Sequence, residues 1–258
     1  MTINNLSGDY LIQPGGATYS SGVRALSGHE IHHVTLMRPL PLAPGIEAIA
    51  AYLASAKRQP QALCGLELRC PAPYTFEGFA AFNDQYCSLL RKHNMLPDNS
   101  QLKGENPVAR TNVFPLAESL TEQTIHAFSY TRPCAEASDR PSFVVSGAGE
   151  LRQSALHQSA IVRRGETSGD AMRDKAACVM GIMQSRLDAL GVNWSQVTAV
   201  DIYTVHSITP FLQSAILDRM GVAARLGVHW HLSRPPVDDI EFEMDLRGVA
   251  KESFEELL

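Results

Sequence analysis

Hydrophobic and polar positions along the chain change period several times, and the changes define elements. Glu30 to Arg38 has strand character, and Pro44 to Lys57 places Ile46, Ile49, Ala50 and Leu53 on one helical face. Gln61 to Cys70 alternates with period two, Ala62, Cys64, Leu66 and Leu68 pointing one way, until Pro71 and Pro73 stop it. Thr75 can cap a helix over Phe76 to Lys92, with Phe79, Phe82, Asn83 and Tyr86 at helical spacing. After a polar loop from Pro97 to Asn106, strands are predicted over Ala109 to Leu116 and Thr124 to Arg132. Cys134 to Pro141 is short, polar and ends in proline, as a linker does.

The order then restarts. Ser142 to Ala148 reads as an apolar strand, and Ser168 to Leu190 as a helix with Met172, Ala176, Val179, Met180, Met183 and Leu187 in register and Gly191 as its C-cap. Gln196 to Thr204 is a predicted strand, Thr209 and Pro210 open a helix through Arg219, and Ala224 to Leu232 and Ile240 to Gly248 are predicted strands separated by Pro235 and Pro236. Both halves therefore read strand, helix, strand, helix, strand, strand, a repeat of structure without an obvious repeat of sequence. The expected fold is α/β (α+β): tandem domains at 1-133 and 141-258 joined by 134-140, each a mixed sheet covered by two helices on one face.

Composition narrows the function classes. With 45% hydrophobic residues, 258 residues suffice for two small cores, and a net charge of -5 without a basic track makes nucleic acid an unexpected partner. No apolar stretch approaches the roughly 20 residues that span a bilayer, and Met1 to Gly8 is polar, so a cytoplasmic protein without a membrane partner is expected. Five cysteines form no CxxC pair and read as reduced, mostly buried side chains.

A family resemblance emerges from several short motifs. Phe79, Asn83 and Tyr86 in FAAFNDQY, followed by Pro107, Val108, Ala109, Arg110 and Thr111 (PVART), resemble the F-xx-N-xx-Y helix and P-A-R-T strand start of RidA/YjgF enamine deaminases, with one inserted residue. FVVSGAGE resembles that family's early strand ending in Ser-Gly, and Leu187, Gly191, Val197 and Tyr203 hold the places of its later pattern. Ile240 to Gly248 is similar to its final strand, where a glutamate faces the ligand, and Thr18, Tyr19 and Ser20 resemble its Pro-Tyr-Ser segment. The two-domain size and second-half pattern look most like the 2-aminomuconate and 2-amino-5-chloromuconate deaminases within this group. The first half keeps the arginine and the second the acids, which implies one site assembled from both. The resemblance also implies chorismate-mutase-like domains, a homo-oligomer (trimer or hexamer), a small dicarboxylate substrate and a hydrolytic deaminase without a cofactor.

The residues themselves support candidate roles. Arg110 offers a planar fork for a carboxylate, against the alternative of a structural salt bridge. Glu241 and Glu243 alternate on a predicted strand, where a partly buried carboxyl can exchange protons with substrate; a solvated strand face is the competing reading. Ser146 and Gly147 end a strand where backbone N–H groups can meet an oxyanion. Tyr19, Arg163, Glu166, His229 and His231 are further substrate-binding candidates, Arg163 as a second carboxylate clamp. His229 and His231 share a strand face, yet no HExxH or Cys/His spacing accompanies them and no metal is expected. His32, His33 and His206 read as structural. A chorismatase-like hydrolase and a non-catalytic small-ligand-binding protein of the same fold are the alternatives.

Overall fold

A computed structural model of the chain describes residues 1–97, 102–117, 119–134, 140–152 and 157–257. The first unit runs β4 (His29–Pro41), α1 (Leu42–Ser55), β5 (Leu63–Arg69), α2 (Phe76–Lys92), β6 (Ala109–Pro115) and β7 (Thr124–Pro133), after three short strands β1 (Ile3–Asn5), β2 (Tyr10–Gln13) and β3 (Gly22–Ala25). The second unit runs β8 (Phe143–Gly149), α3 (Gly169–Leu190), β9 (Ala199–Tyr203), a helical stretch containing α4 (Asp218–Met220), then β10 (His229–His231), β11 (Ser233–Arg234), β12 (Glu243–Gly248) and β13 (Lys251–Glu255). Most of the predicted linker, 135–139, and part of the predicted loop, 98–101, lie outside the described residues.

The two mixed sheets repeat one topology. In the first, the core order is β6-β5-β7-β4; in the second it is β10-β9-β12-β8, so that third, second, fourth and first strands of each unit lie side by side. The directions also repeat: the third strand is parallel to the second, and the remaining pairings are antiparallel. Ile46, Ile49 and Leu53 of α1 and Phe79, Phe82 and Tyr86 of α2 pack on Leu66, Leu68 and Phe128 of the first sheet. Met172, Val179, Met183 and Leu187 of α3 pack with Phe211 and Ile216 on Val200, Ile202, Met244 and Leu246 of the second. The expected tandem of sheets with helices on one face is thus the architecture, and all five cysteines are free thiols.

The chain ends cross between units. β3 pairs with β8, placing β1–β3 in the second sheet, while β13 pairs with β4 and β11 with β6, both in the first. Neither 1-133 nor 141-258 therefore holds all the strands of one sheet. A third apolar cluster, including Tyr10, Ile12, Val23, Ile31, Ala109 and Val249, fills the junction these crossings create.

Two predicted elements shorten. The expected helix from Thr209 to Arg219 is a wide π turn over Leu212–Leu217 followed by α4, and the expected strand over Ala224 to Leu232 is extended only at His229–His231. Gly221 and Gly227 have φ of 55° and 70°, which turn the backbone out of any continuous extended run. Glu241 lies before β12 instead of on it, because its N–H and that of Phe242 both donate to the buried carboxylate of Glu150, at 2.8 and 2.9 Å.

The polar faces of the strands are also buried. Along β5, β9 and β12, Leu66, Leu68, Val200, Ile202, Met244 and Leu246 face helices, while Glu67, Arg69, Asp201, Tyr203, Asp245 and Arg247 alternate with them. Arg247 reaches Asp201 at 2.5 Å and Glu67 at 3.7 Å, and His33 lies 3.6 Å from Glu67. The two sheets thus meet through paired charges, as burial of ions requires.

Candidate active site

A cavity opens where β6 of the first unit approaches β8 of the second. It is lined from one unit by Tyr19, Phe79, Arg110 and Asn112, from the other by Gly147, Ile182, Arg186 and Glu243. Ser146 is the splice between them. Its hydroxyl donates to the Ser20 carbonyl and accepts from the Arg110 backbone N–H at 3.0 Å, and the Gly147 N–H donates to Thr111 Oγ1 at 3.1 Å.

Arg110 lies in an aromatic cage. Its guanidinium carbon is 4.5 Å from the centre of the Tyr19 ring, 4.7 Å from Tyr86, 5.3 Å from Phe79 and 5.5 Å from Phe82. Three of these rings come from one face of α2, and such faces attract a cation by about 0.5 to 2 kcal/mol each. Nη2 donates to Asn83 Oδ1 at 2.8 Å, whereas Nη1 is buried and meets no acceptor among the described residues. Asn112 Nδ2, a further cavity-lining donor, is likewise unpaired. Buried donors of this kind are costly unless an acceptor completes them.

Glu243, the first residue of β12, faces these donors across the cavity. Burial pushes its carboxyl up to about 8, the nearby Glu150 carboxylate adding to the effect and Arg186 and Arg110 opposing it. At neutral pH the group is therefore largely a neutral acid. It fits because residue 147 is glycine: a Cβ there would stand 2.2 Å from Glu243 Oε1. Arg186, on α3, completes the rim with Nη1 donating to the carbonyls of Ser146 (2.6 Å) and Gly147 (3.3 Å).

Of the residues singled out from the sequence, Arg110, Glu243, Tyr19 and Gly147 meet at the cavity, with Ser146 beneath them. The others stand elsewhere. Glu241 pairs with His206 at 3.0 Å and Arg234 at 3.7 Å. Arg163 is held at the surface by Glu166 (2.6 Å) and Asp174 (3.0 Å), so neither Arg163 nor Glu166 lines the cavity. His229 and His231 both hydrogen-bond Asp201, at 3.1 and 2.8 Å, in the charged layer between the sheets. Among the described residues, no group of three or more His, Cys, Asp or Glu side chains is placed to hold a metal ion, and no helix is long and apolar enough to cross a membrane.

Arg186 and Asn112 are the cavity residues that motif reading missed. For Arg186 a signal existed: the spacing Val179, Met183, Arg186, Leu190 puts a cation inside an apolar helical stripe, where burial requires a partner. Asn112 carries no such mark in the sequence.

A buried acid and two arginines are enclosed where two α/β units meet, and concave places with such groups are where enzymes commonly hold small molecules. The chain belongs to the family described as 2-aminomuconate deaminase CnbZ, whose model matches residues 2–253, and so to enzymes acting on a carbon–nitrogen bond. It is 38% identical over 247 residues to 2-amino-5-chloromuconate deaminase of Comamonas testosteroni, covering 95% of this chain and 96% of that protein. Among solved structures it is similar to a chorismatase (TM-score 0.48, 12% identity, 89% of this chain and 77% of that one). It is also similar to a candidate endoribonuclease from Thermotoga maritima (TM-score 0.28, 17% identity, 46% of this chain and 85% of that one). The family resemblance read from the sequence motifs is borne out by the family match.

Proposed function

We propose that this protein hydrolyses 2-aminomuconate, or a chlorinated analogue, to the corresponding 2-oxo acid and ammonia without a cofactor. The observation that carries the reading is Glu243, a buried carboxyl raised to about 8, in the same cavity as a caged arginine with an uncommitted donor. Arg110 holds the carboxylate beside the amino-bearing carbon. Neutral Glu243 gives its proton to the enamine carbon as the nitrogen lone pair forms the iminium. The resulting carboxylate takes a proton from the water that adds to the nitrogen-bearing iminium carbon. The same proton then passes to the nitrogen, the carbon–nitrogen bond breaks, ammonia departs, and the hydroxyl proton released as the carbonyl forms returns to Glu243. One water is consumed per ammonia released, and the acid ends as it began. The 2-aminomuconate family match and the relative that acts on 2-amino-5-chloromuconate support this substrate class.

Purified protein offered 2-aminomuconate, iminopyruvate and chorismate separately, with ultraviolet absorbance and ammonia followed together, tests the reading. The expected result is loss of the aminomuconate chromophore with one equivalent of ammonia, far faster than turnover of either alternative. Turnover of chorismate alone would move the protein to the chorismatase class, and turnover of none would make it a binding protein.

A further inference from the structure

The cavity holds a second buried arginine to which neither the motifs nor the proposed proton transfers assign a role. Arg186, on α3, is 8% exposed and lines the cavity together with Arg110. Among the described residues only its Nη1 is engaged, by the carbonyls of Ser146 and Gly147, which leaves Nε and Nη2 to donate to a ligand. Glu243 is the one carboxyl among the described residues that lines the cavity, and Glu150 is paired with Lys175 at 2.8 Å and with two backbone N–H groups. Two buried guanidinium groups thus share one cavity with a single carboxyl, an arrangement that favours negative charge on the ligand.

Both arginines are fixed to the same residue. The Ser146 hydroxyl accepts from the Arg110 backbone N–H and its carbonyl accepts from Arg186 Nη1, so one residue ties the strand that carries Arg110 to the Arg186 side chain. The rest of the lining is largely apolar, with Phe79, Leu151, Ile182, Val237 and Ile240. Two cations in one largely apolar cavity match a short unsaturated chain that carries two carboxylates.

We infer that Arg186 receives the second carboxylate of the substrate, the one remote from the amino group, and so makes the enzyme selective for dicarboxylates over monocarboxylates of the same chain. The inference rests on the proposed deaminase reading for the identity of the reaction, but its test does not require turnover. The probes are trans,trans-muconate and sorbate, inert six-carbon dienes with two carboxylates and one, whose binding is measured by calorimetry or as inhibition constants. The wild-type protein is expected to bind muconate about tenfold or more tighter than sorbate, the effect of one charge-assisted contact. In Arg186→Gln the muconate advantage should vanish while sorbate affinity stays within about twofold, and Arg186→Lys should restore part of it because the charge returns without the fork. Equal losses for both ligands would overturn the inference and leave Arg186 as a brace for the Ser146–Gly147 carbonyls. So would equal affinity for both ligands in the wild-type protein. If the muconate preference follows Arg186 but 2-aminomuconate is not deaminated, the clamp stands and the deaminase reading fails.

Discussion

The third and fourth strands of the two units occupy equivalent places in their sheets but carry different chemistry. In the first unit the third strand, β6, is seven residues long and presents Arg110 and Asn112 to the cavity; its counterpart β10 has three residues, with Trp230 exposed. In the second unit the fourth strand, β12, opens with Glu243 and continues to Asp245; its counterpart β7 opens with Thr124 and continues to His126. Burial, with Arg69 beside it, lowers His126 to about 4, so that position bears a neutral imidazole instead of an acid. One topology therefore supplies a cation-bearing strand once and an acid-bearing strand once. The duplication yields a composite cavity, because the cation-bearing and acid-bearing strands lie in different sheets that meet at β6 and β8.

The sharpest way to break this asymmetry is to remove the acid. Glu243→Gln keeps the shape and the neutral state but cannot exchange a proton, so kcat for deamination should fall by about 10² to 10⁴, the range for general acid–base groups, with little change in KM. A smaller loss would show that the acid-bearing strand is not what distinguishes the second unit. In the wild-type protein, kcat/KM should fall as pH rises through about 8, where Glu243 loses its proton. Stability carries a related signature. Because the folded group keeps its proton above the unfolded value of 4.5, the unfolded state releases one on denaturation, and stability should decline from about pH 4.5 towards 8. Denaturant midpoints of Glu243→Gln across that window should show a shallower decline than wild type.

Gly147→Ala probes the contact at which the two units meet. The glycine has an ordinary negative φ, so alanine suits the backbone, but the new methyl would stand 2.2 Å from Glu243 Oε1 and 3.1 Å from Thr111 Cγ2. The carboxyl must swing away from substrate. Displacement of a reacting group by about 1 Å can cost on the order of 10² in rate, so activity should drop by roughly that factor while the thermal midpoint falls by only a few degrees. Unchanged activity would mean that Glu243 works from another rotamer.

What the sequence made legible follows from how each element is stabilised. The repeated element order was readable because α1, α2 and α3 bury one stripe each, and α2 and α3 carry side-chain caps at Thr75 and Ser168. Strands β1–β3, β11 and β13 were not, since five residues or fewer leave too short a pattern: KESFE has a partly buried serine beside an exposed phenylalanine. The charged layer between sheets was also hidden, because alternation such as Leu66-Glu67-Leu68-Arg69 suggests one solvated face when both faces are covered. The choice between Glu241 and Glu243 depended on where β12 begins, and that is set by Glu150, ninety residues earlier in the chain, which holds the 241 and 242 amides.

The smallest effect concerns two arginines flanking the same helix. Arg163 lies in the loop ahead of α3 and is the second carboxylate clamp expected from the sequence, whereas Arg186 lies on α3 and was not singled out. They differ in what surrounds them. Arg163 is partly exposed and shared between Glu166 and Asp174, so its charge is already met at the surface, where such pairs contribute about 0 to 1 kcal/mol. Arg186 is buried and, among the described residues, hydrogen-bonds the carbonyls of Ser146 and Gly147. Arg163→Ala should therefore leave kcat/KM within about twofold, and muconate binding likewise, matching the roughly 0.5 kcal/mol expected of a surface substitution. A loss comparable to that of Arg186→Gln would place the surface loop in contact with substrate and extend the composite site beyond the cavity between β6 and β8.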